Sequence, residues 1–297
     1  MRVGKMAWHM LRHNGPVAFG AYAARKLNEA VFRPRCANAA MCADLVKDRR
    51  GVEIGGPSRI FGDMGHIPIY RHAAAVDGVN FAAETVWASA LGEDHPFVYG
   101  GRTLGRQYVR EASDLEDIPS SDYDFCLSSH VIEHLANPVR GLFEWVRVLK
   151  EDGFLILIAP HKDATFDHRR PVTKMAHIEN DYARNRGEDD MTHIPEVLAL
   201  HDFAKDWGAG DRDAFRSRCE DNFRTRCVHH HVFDTDLVIE LVNFAGLKIR
   251  AVEHAWPNNI VVICQKKRAD SVADNSQYVS GTVGWRQRSP FPTDKGE

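Results

Sequence analysis

The sequence predicts an α/β protein built on a doubly wound parallel sheet, and three observations predict it. Short apolar runs alternate with stretches of helical periodicity, the run "FLILIAP" at 154–160 is apolar throughout, and the first run, "GVEIGG" at 51–56, ends in paired glycines. A continuously apolar run suits a strand covered on both faces, and strands alternating with helices imply crossovers that leave neighbouring strands parallel.

Taken in order, "GVEIGG" reads as a short buried strand entering a glycine turn. Glycine is needed there only if the backbone turns to positive φ or another group approaches closely. The next segment, "RIFGDMGHIPIY", carries Gly62, Gly65 and Pro68 and is poor helix material. A second run, "AAAVDG" at 73–78, ends at Asp77, "RQYVREASDL" at 106–115 reads as a third strand, and "DYDFCLSSHVIEHL" at 122–135 opens with a fourth. Leu142, Trp145, Val146 and Leu149 then recur at helical spacing, and Gly153 stands where a helix stops. "FLILIAP" follows as the fifth strand. From His161 to His231 the alternation lapses into 71 polar, histidine-rich residues with helices expected in "PEVLALHDFAKDW" and "DAFRSRCEDNFRTRC". The pattern resumes with a helix capped by Asp234 or Thr235 and closed by Gly246. Two strands, "LKIRAVEHA" and "NIVVICQ", come next, joined by "WPNN". Four regions result: a basic helical arm over 1–48, a core over 49–160 and 232–268, an inserted segment over 161–231, and a polar tail over 269–297 read as flexible.

Composition narrows the partners. The formal net charge is -3 with 38 basic and 41 acidic residues, which argues against a global basic field for nucleic acid. The first 35 residues differ, since Arg2, Lys5, Arg12, Arg25, Lys26, Arg33 and Arg35 oppose only Glu29. With Trp8, Phe19 and Tyr22 among them, this arm could lie on an anionic membrane surface, but a solvated helical arm packed on the domain or a partner is the favoured reading. No apolar run approaches the roughly 20 residues that span a bilayer. Six scattered cysteines without a C-x-x-C pair point to reduced thiols and a cytoplasmic setting. The oligomeric state is not readable.

The order "GVEIGG", "AVDG", "REASDLEDIP", "DYDFCLSSHVIEHL", "RVLKEDGFLILIAP" resembles the class I S-adenosylmethionine-dependent methyltransferases, and most of all their type-11 group. The specific part is "SSHVIEHL…RVLKEDG", whose spacing to the next strand also matches. The resemblance implies a Rossmann-like seven-stranded sheet with an antiparallel last strand, S-adenosyl-L-methionine as cofactor, and a cofactor site at the carboxyl ends of the strands. It implies that Glu53, Gly55 and Gly56 meet the amino-acid part of the cofactor, that Asp77 accepts from the ribose hydroxyls, that Glu111, Ala112 and Ser113 lie at the adenine, and that Ser129 and His130 line the methionine side. Pro57-Ser58 stands where the family's third loop glycine belongs.

The inserted segment is expected to be a mainly helical lid over a small-molecule or glycan acceptor, with O-methylation of a sugar hydroxyl as the leading reaction. Removing the acceptor's proton suits neutral histidine near pH 7, so His161 and Asp163, which follow the fifth strand, are the candidate catalytic residues. His168, Arg169 and Arg170 are candidates for binding the acceptor. No metal site is expected, because no H-x-x-x-H or H-E-x-x-H spacing occurs among the histidines of the inserted segment. The altered glycine loop keeps a rival open: a non-catalytic protein that binds S-adenosylmethionine or S-adenosylhomocysteine and holds a partner. A nicotinamide enzyme is disfavoured by the missing G-x-G-x-x-G.

Overall fold

A computed structural model describes residues 35–83, 95–206 and 208–297. Most of the basic arm, and Trp207 of the insertion, lie outside them. The chain enters through helix α1 (Ala39–Val46) and strand β1 (Arg50–Ile54). No full helix follows; the glycine-rich stretch makes only a 3-10 turn at Arg59–Phe61 before β2 (Ala75–Asn80). Strands β3 (Pro96–Tyr99), β4 (Arg102–Val109) and β5 (Tyr123–Ser129) come next, then helix α2 (Pro138–Val148) and the long β6 (Leu149–Pro160). The insertion supplies α3 (Met175–Ala183), α4 (Ile194–Leu200) and α5 (Arg212–Glu220), and α6 (Thr235–Phe244), β7 (Lys248–Ala255) and β8 (Asn259–Gln265) finish the sheet.

The eight strands run in the order β3-β4-β2-β1-β5-β6-β8-β7. Strands β4, β2, β1, β5 and β6 are mutually parallel, and β8 inserts antiparallel between β6 and β7. This is the doubly wound α/β sheet with an antiparallel member. The eighth strand is β3, an antiparallel partner of β4 at the edge, not foreseen because it is short, begins at Pro96 and is half open to solvent.

Strand alternation divides the core into two layers. Leu155, Leu157 and Ala159 of β6 face one apolar cluster with Leu142 and Trp145 of α2 and Leu237 and Leu241 of α6. Phe154, Ile156 and Ile158 face the other, with Cys42 and Val46 of α1 and Phe61, Ile67 and Ile69 of the loop after β1. The loop therefore does the covering that a helix would do: three buried apolar side chains seal the sheet without helical periodicity.

Three expectations are corrected. Strand β2 does not end at Asp77 but continues to Asn80; the Asp-Gly pair reads as a turn, yet Gly78 is a strand residue because Phe97 of β3 occupies the space its Cβ would need, 2.1 Å away. The third strand lies earlier, over 102–109, leaving 110–115 as a loop. The tail is not flexible. It packs against the first layer through Tyr278 and the fully buried Trp285, whose indole nitrogen donates to Tyr278 O at 2.9 Å. Phe291 stacks on the His161 ring at 3.9 Å. Burying one such phenylalanine is worth roughly 1.5–3 kcal/mol, enough to hold a polar segment down. The insertion also holds a small apolar cluster of its own, from Ile194, Val197, Phe215, Cys219 and neighbours. Among the described residues no helix is long and apolar enough to cross a membrane, and all six cysteines are free.

Candidate active site

The sheet reverses its winding direction between β1 and β5, and at that point the carboxyl ends of adjacent strands open a crevice. A cavity of about 740 Å³ lies there. The ends of β1 (Gly55, Gly56, Pro57), β2 (Val79, Asn80, Phe81) and β5 (Ser129 to Leu135) form one wall with the loop after β4 (Arg110 to Ala112), and the insertion forms the other.

The glycine loop has a definite geometry. Gly55 is at φ +80, and a Cβ there would meet Val131 Cγ2 at 2.3 Å. A Cβ on Gly56 would strike the Glu53 carboxyl at 2.3 Å. The paired glycines are thus required by the positive φ and by the acid packed behind them. Glu53 itself is fully buried, accepts from Ser58 N at 3.0 Å and Tyr70 Oη at 2.7 Å, and does not line the cavity. Burial raises its carboxyl to about 7, against the pull of those two donors. It supports the loop from behind.

Asp77 is likewise displaced from the site. Lying in mid-strand, it accepts from Arg50 Nη2 at 2.6 Å, Tyr123 Oη at 2.8 Å and Arg106 N at 2.8 Å, away from the cavity. The residue that reaches the cavity from the end of β2 is Asn80, whose amide also donates to Gly56 O at 2.9 Å. Glu111, Ala112, Ser129 and His130 do line the cavity, whereas Ser113 faces a separate surface hollow. His130 holds φ at 55, strained for a residue with a Cβ, and is fixed by its N–H to Ile158 O at 3.0 Å and its Nε2 to Asn259 Oδ1 at 2.8 Å.

None of the residues expected to act on the acceptor faces the cavity. His161 is fully buried, with Nε2 3.1 Å from Asp294 Oδ1. Asp163 accepts from Thr293 N at 2.9 Å and Thr293 Oγ1 at 2.6 Å. Both tie down the tail, which is why proximity to the strand end misled. Arg170 is buried, donating to Asp167, Glu196 and two backbone carbonyls. His168 and Arg169 both pair with Asp202.

Among the polar groups that do line the cavity wall, Glu133, His134, Asp167 and His229 come together. His229 Nδ1 lies 2.5 Å from Asp167 Oδ2. Burial disfavours the imidazolium of His229, but the Asp167 carboxylate outweighs it and raises its pKa. Asp167 in turn, although burial opposes its ionisation, is held down to about 2 by His229 and Arg170. His134 points Nδ1 at Val228 O, 3.1 Å away, and burial beside His229 lowers it to about 4. Glu133 is 1% exposed, with His130 Nδ1 at 3.5 Å and His134 Nε2 at 3.9 Å. Burial opposes its ionisation, yet His130, His134 and His229 hold its pKa below the ordinary value. Atoms of Glu133, His134 and His229 lie within 4.8 Å of one another. Arg226 joins the two walls, pairing with Glu111 Oε1 at 2.5 Å and Glu188 Oε2 at 2.8 Å. This constellation escaped the sequence because Asp167 and His229 are 62 positions apart; the signal present, "CVHHHVFD", does not say which imidazole meets an acid.

A glycine-turned loop, a crevice at the strand reversal and a polar cavity under an insertion define a ligand-binding α/β enzyme of the doubly wound kind. Residues 64–157 match the family described as "Methyltransferase domain", which supports an S-adenosylmethionine-dependent methyltransferase with S-adenosyl-L-methionine as its cofactor. No curated protein matches it. Similar solved structures include a methyltransferase from Methanosarcina mazei (18% identity, 74% of this chain and 93% of that one, TM-score 0.42). Another comes from Aquifex aeolicus (12%, 77% and 87%, TM-score 0.43). A third is the Burkholderia thailandensis 1,6-didemethyltoxoflavin-N1-methyltransferase with bound 1,6-didemethyltoxoflavin and S-adenosylhomocysteine (12%, 78% and 83%, TM-score 0.42).

Proposed function

We propose that the protein methylates a hydroxyl of a polar small molecule, a sugar or glycan hydroxyl foremost, with His229 as the base. The observation that carries this reading is the Asp167–His229 pair in the wall of the cavity that also receives the glycine loop. The cavity suits the cofactor: Gly55 and Gly56 bring bare backbone to it, Asn80 offers an amide at the end of β2 for ribose hydroxyls, Glu111 and Ala112 border the adenine side, and Ser129 and His130 the methionine side. When bound, S-adenosylmethionine supplies an electrophilic methyl group.

The protein's part is to position an oxygen and take its proton. With its Nδ1 proton directed at Asp167, His229 presents Nε2 as the basic atom. The acceptor oxygen gives its proton to Nε2 as it gains the methyl group. The resulting imidazolium is balanced by the Asp167 carboxylate and loses the proton to water in the next step. The helices of the insertion close the cavity from the far side, which excludes water from the methyl donor.

The test pairs His229→Ala with calorimetry of cofactor binding and release of S-adenosylhomocysteine over a panel of sugars and glycans. Turnover should fall about 100-fold or more, while cofactor affinity stays within about tenfold. Parental turnover in a folded His229→Ala would remove His229 as the base. Turnover confined to amine or thiol acceptors would overturn the hydroxyl assignment.

A further inference from the structure

Away from the cavity, His177, Asp181, His193 and His231 come together from three separate stretches of chain. His177 and Asp181 stand one turn apart on α3, His193 immediately precedes α4, and His231 lies just ahead of α6. One ligand atom from each falls within 4.8 Å of all the others. His177 Nε2 is 3.0 Å from His193 Nε2 and 3.1 Å from Asp181 Oδ2, and His231 Nε2 is 3.1 Å from the same oxygen. Four nitrogen or oxygen ligands about 2.0–2.1 Å from a tetrahedral zinc ion stand about 3.3 Å apart, close to these separations.

Proton accounting says what the cluster lacks. His231 is fully buried and its Nδ1 faces Leu135 O at 3.1 Å. A carbonyl only accepts, so that nitrogen carries the proton and Nε2 presents a lone pair. That lone pair points at a carboxylate oxygen, which also only accepts. His193 repeats the pattern: Nδ1 faces Asp190 Oδ2 at 3.2 Å, leaving Nε2 as an acceptor turned toward His177. Acceptors converging on one point call for a cation at that point. The outer partners are those that orient metal-binding imidazoles, a backbone carbonyl for one ring and a carboxylate for the other. Arg186 steadies the second of these, with Nη1 3.4 Å from Asp190 Oδ1.

We propose that these four residues form a zinc-class divalent metal site that fastens the insertion to the core. Three imidazoles and one carboxylate suit zinc and its transition-metal neighbours over magnesium or calcium, which prefer all-oxygen shells. The expectation of no metal, drawn from the absence of H-x-x-x-H in the inserted segment, overlooked that an acid can replace the second histidine: His177 and Asp181 share the same i,i+4 spacing. None of the four lines the cavity, so the ion holds α3, α4 and the segment before α6 in place and stays out of the reaction. His177 is the exposed ligand and gives the ion its path in and out.

The experiment is metal analysis of the purified full chain, followed by chelation and titration with Zn2+ and Co2+. One equivalent of zinc per chain is expected, with a tetrahedral Co2+ visible spectrum on substitution and a higher melting temperature with zinc than after chelation. His177→Ala, at the exposed position, should fold, lose the Co2+ spectrum and bind zinc at least tenfold more weakly. Asp181→Asn should do the same, and His229→Ala, in the cavity, should keep the metal. Unchanged zinc affinity in folded His177→Ala and Asp181→Asn overturns the site. So does loss of the ion from His229→Ala alone, which would place it in the cavity, or failure of the parent chain to bind zinc at all.

Discussion

Asp294→Ala is the sharpest perturbation of this fold. The Asp294 carboxylate lies in the tail and has no solvent exposure. It accepts from Thr235 Oγ1 at 2.7 Å, Thr235 N at 3.2 Å and Ser289 Oγ at 2.5 Å, with His161 Nε2 at 3.1 Å and His254 Nε2 at 3.4 Å. Hydrogen bonds to a charged group are worth about 1.5–3 kcal/mol each but do not add. Removing this shared acceptor leaves several buried donors stranded without water, at about 1–3 kcal/mol for each unsatisfied group. Asp294→Ala should therefore lose about 3–5 kcal/mol, a large share of the 5–15 kcal/mol that holds an ordinary domain together. Equilibrium urea unfolding followed by circular dichroism measures it. A loss under about 1 kcal/mol, the scale of an exposed pair, would show that the tail is not an integral part of the core. The pH dependence gives a second reading. Burial opposes ionisation of Asp294, but its donors win and hold its pKa well below 3.8. A depressed acid stabilises fully above its unfolded value and loses that stabilisation as pH falls through the folded one. Stability of the parent should thus decline below about pH 4 more steeply than that of Asp294→Ala.

Two further substitutions separate support from site. Asp77→Ala should destabilise the fold by about 1.5–3 kcal/mol, through loss of the hydrogen bonds that Tyr123, Arg106 N and the half-exposed Arg50 make to its carboxylate, while leaving cofactor affinity of the folded protein unchanged. Asn80→Ala should weaken cofactor binding by about 0.5–1.5 kcal/mol; calorimetry giving the reverse ranking would return Asp77 to the site. In Asp167→Asn the carboxylate that raises His229 is gone, so the acid limb of the kcat profile should move to lower pH as kcat itself drops about tenfold or more. An unmoved limb means that His229 is not the group titrating.

The strands and helices that pack on both faces were legible because burial writes itself into composition. Residues 154–160 of β6 and the middle of β8 are continuous apolar runs, and α2 and α6 carry an apolar stripe between caps. Failures came where a single residue type has two uses. Asp77-Gly78 has the composition of a turn, and only the ring of Phe97 lying on Gly78 explains it as strand. The tail places Tyr278, Trp285 and Phe291 too far apart for any periodicity, so three anchors passed for scattered residues. In the site, Gly55, Gly56, Glu111, Ala112, Ser129 and His130 reach the cavity because strand ends fix their place. The histidines of the insertion could not be ranked, since His229 takes its role from an acid 62 positions away and His161 from one 133 positions on.

The same distance bears on how the chain is made. Ribosomal synthesis delivers residues in order, and a bond spanning 133 positions cannot form until its second partner emerges. Until Ser289, Phe291 and Asp294 arrive, His161, Thr235 and His254 remain buried-to-be polar groups without an acceptor, at the end of the central strand and the start of α6. Docking of this segment onto the end of β6 and the start of α6 is therefore a late step of folding, and a nascent chain stalled before residue 289 leaves those polar groups uncovered.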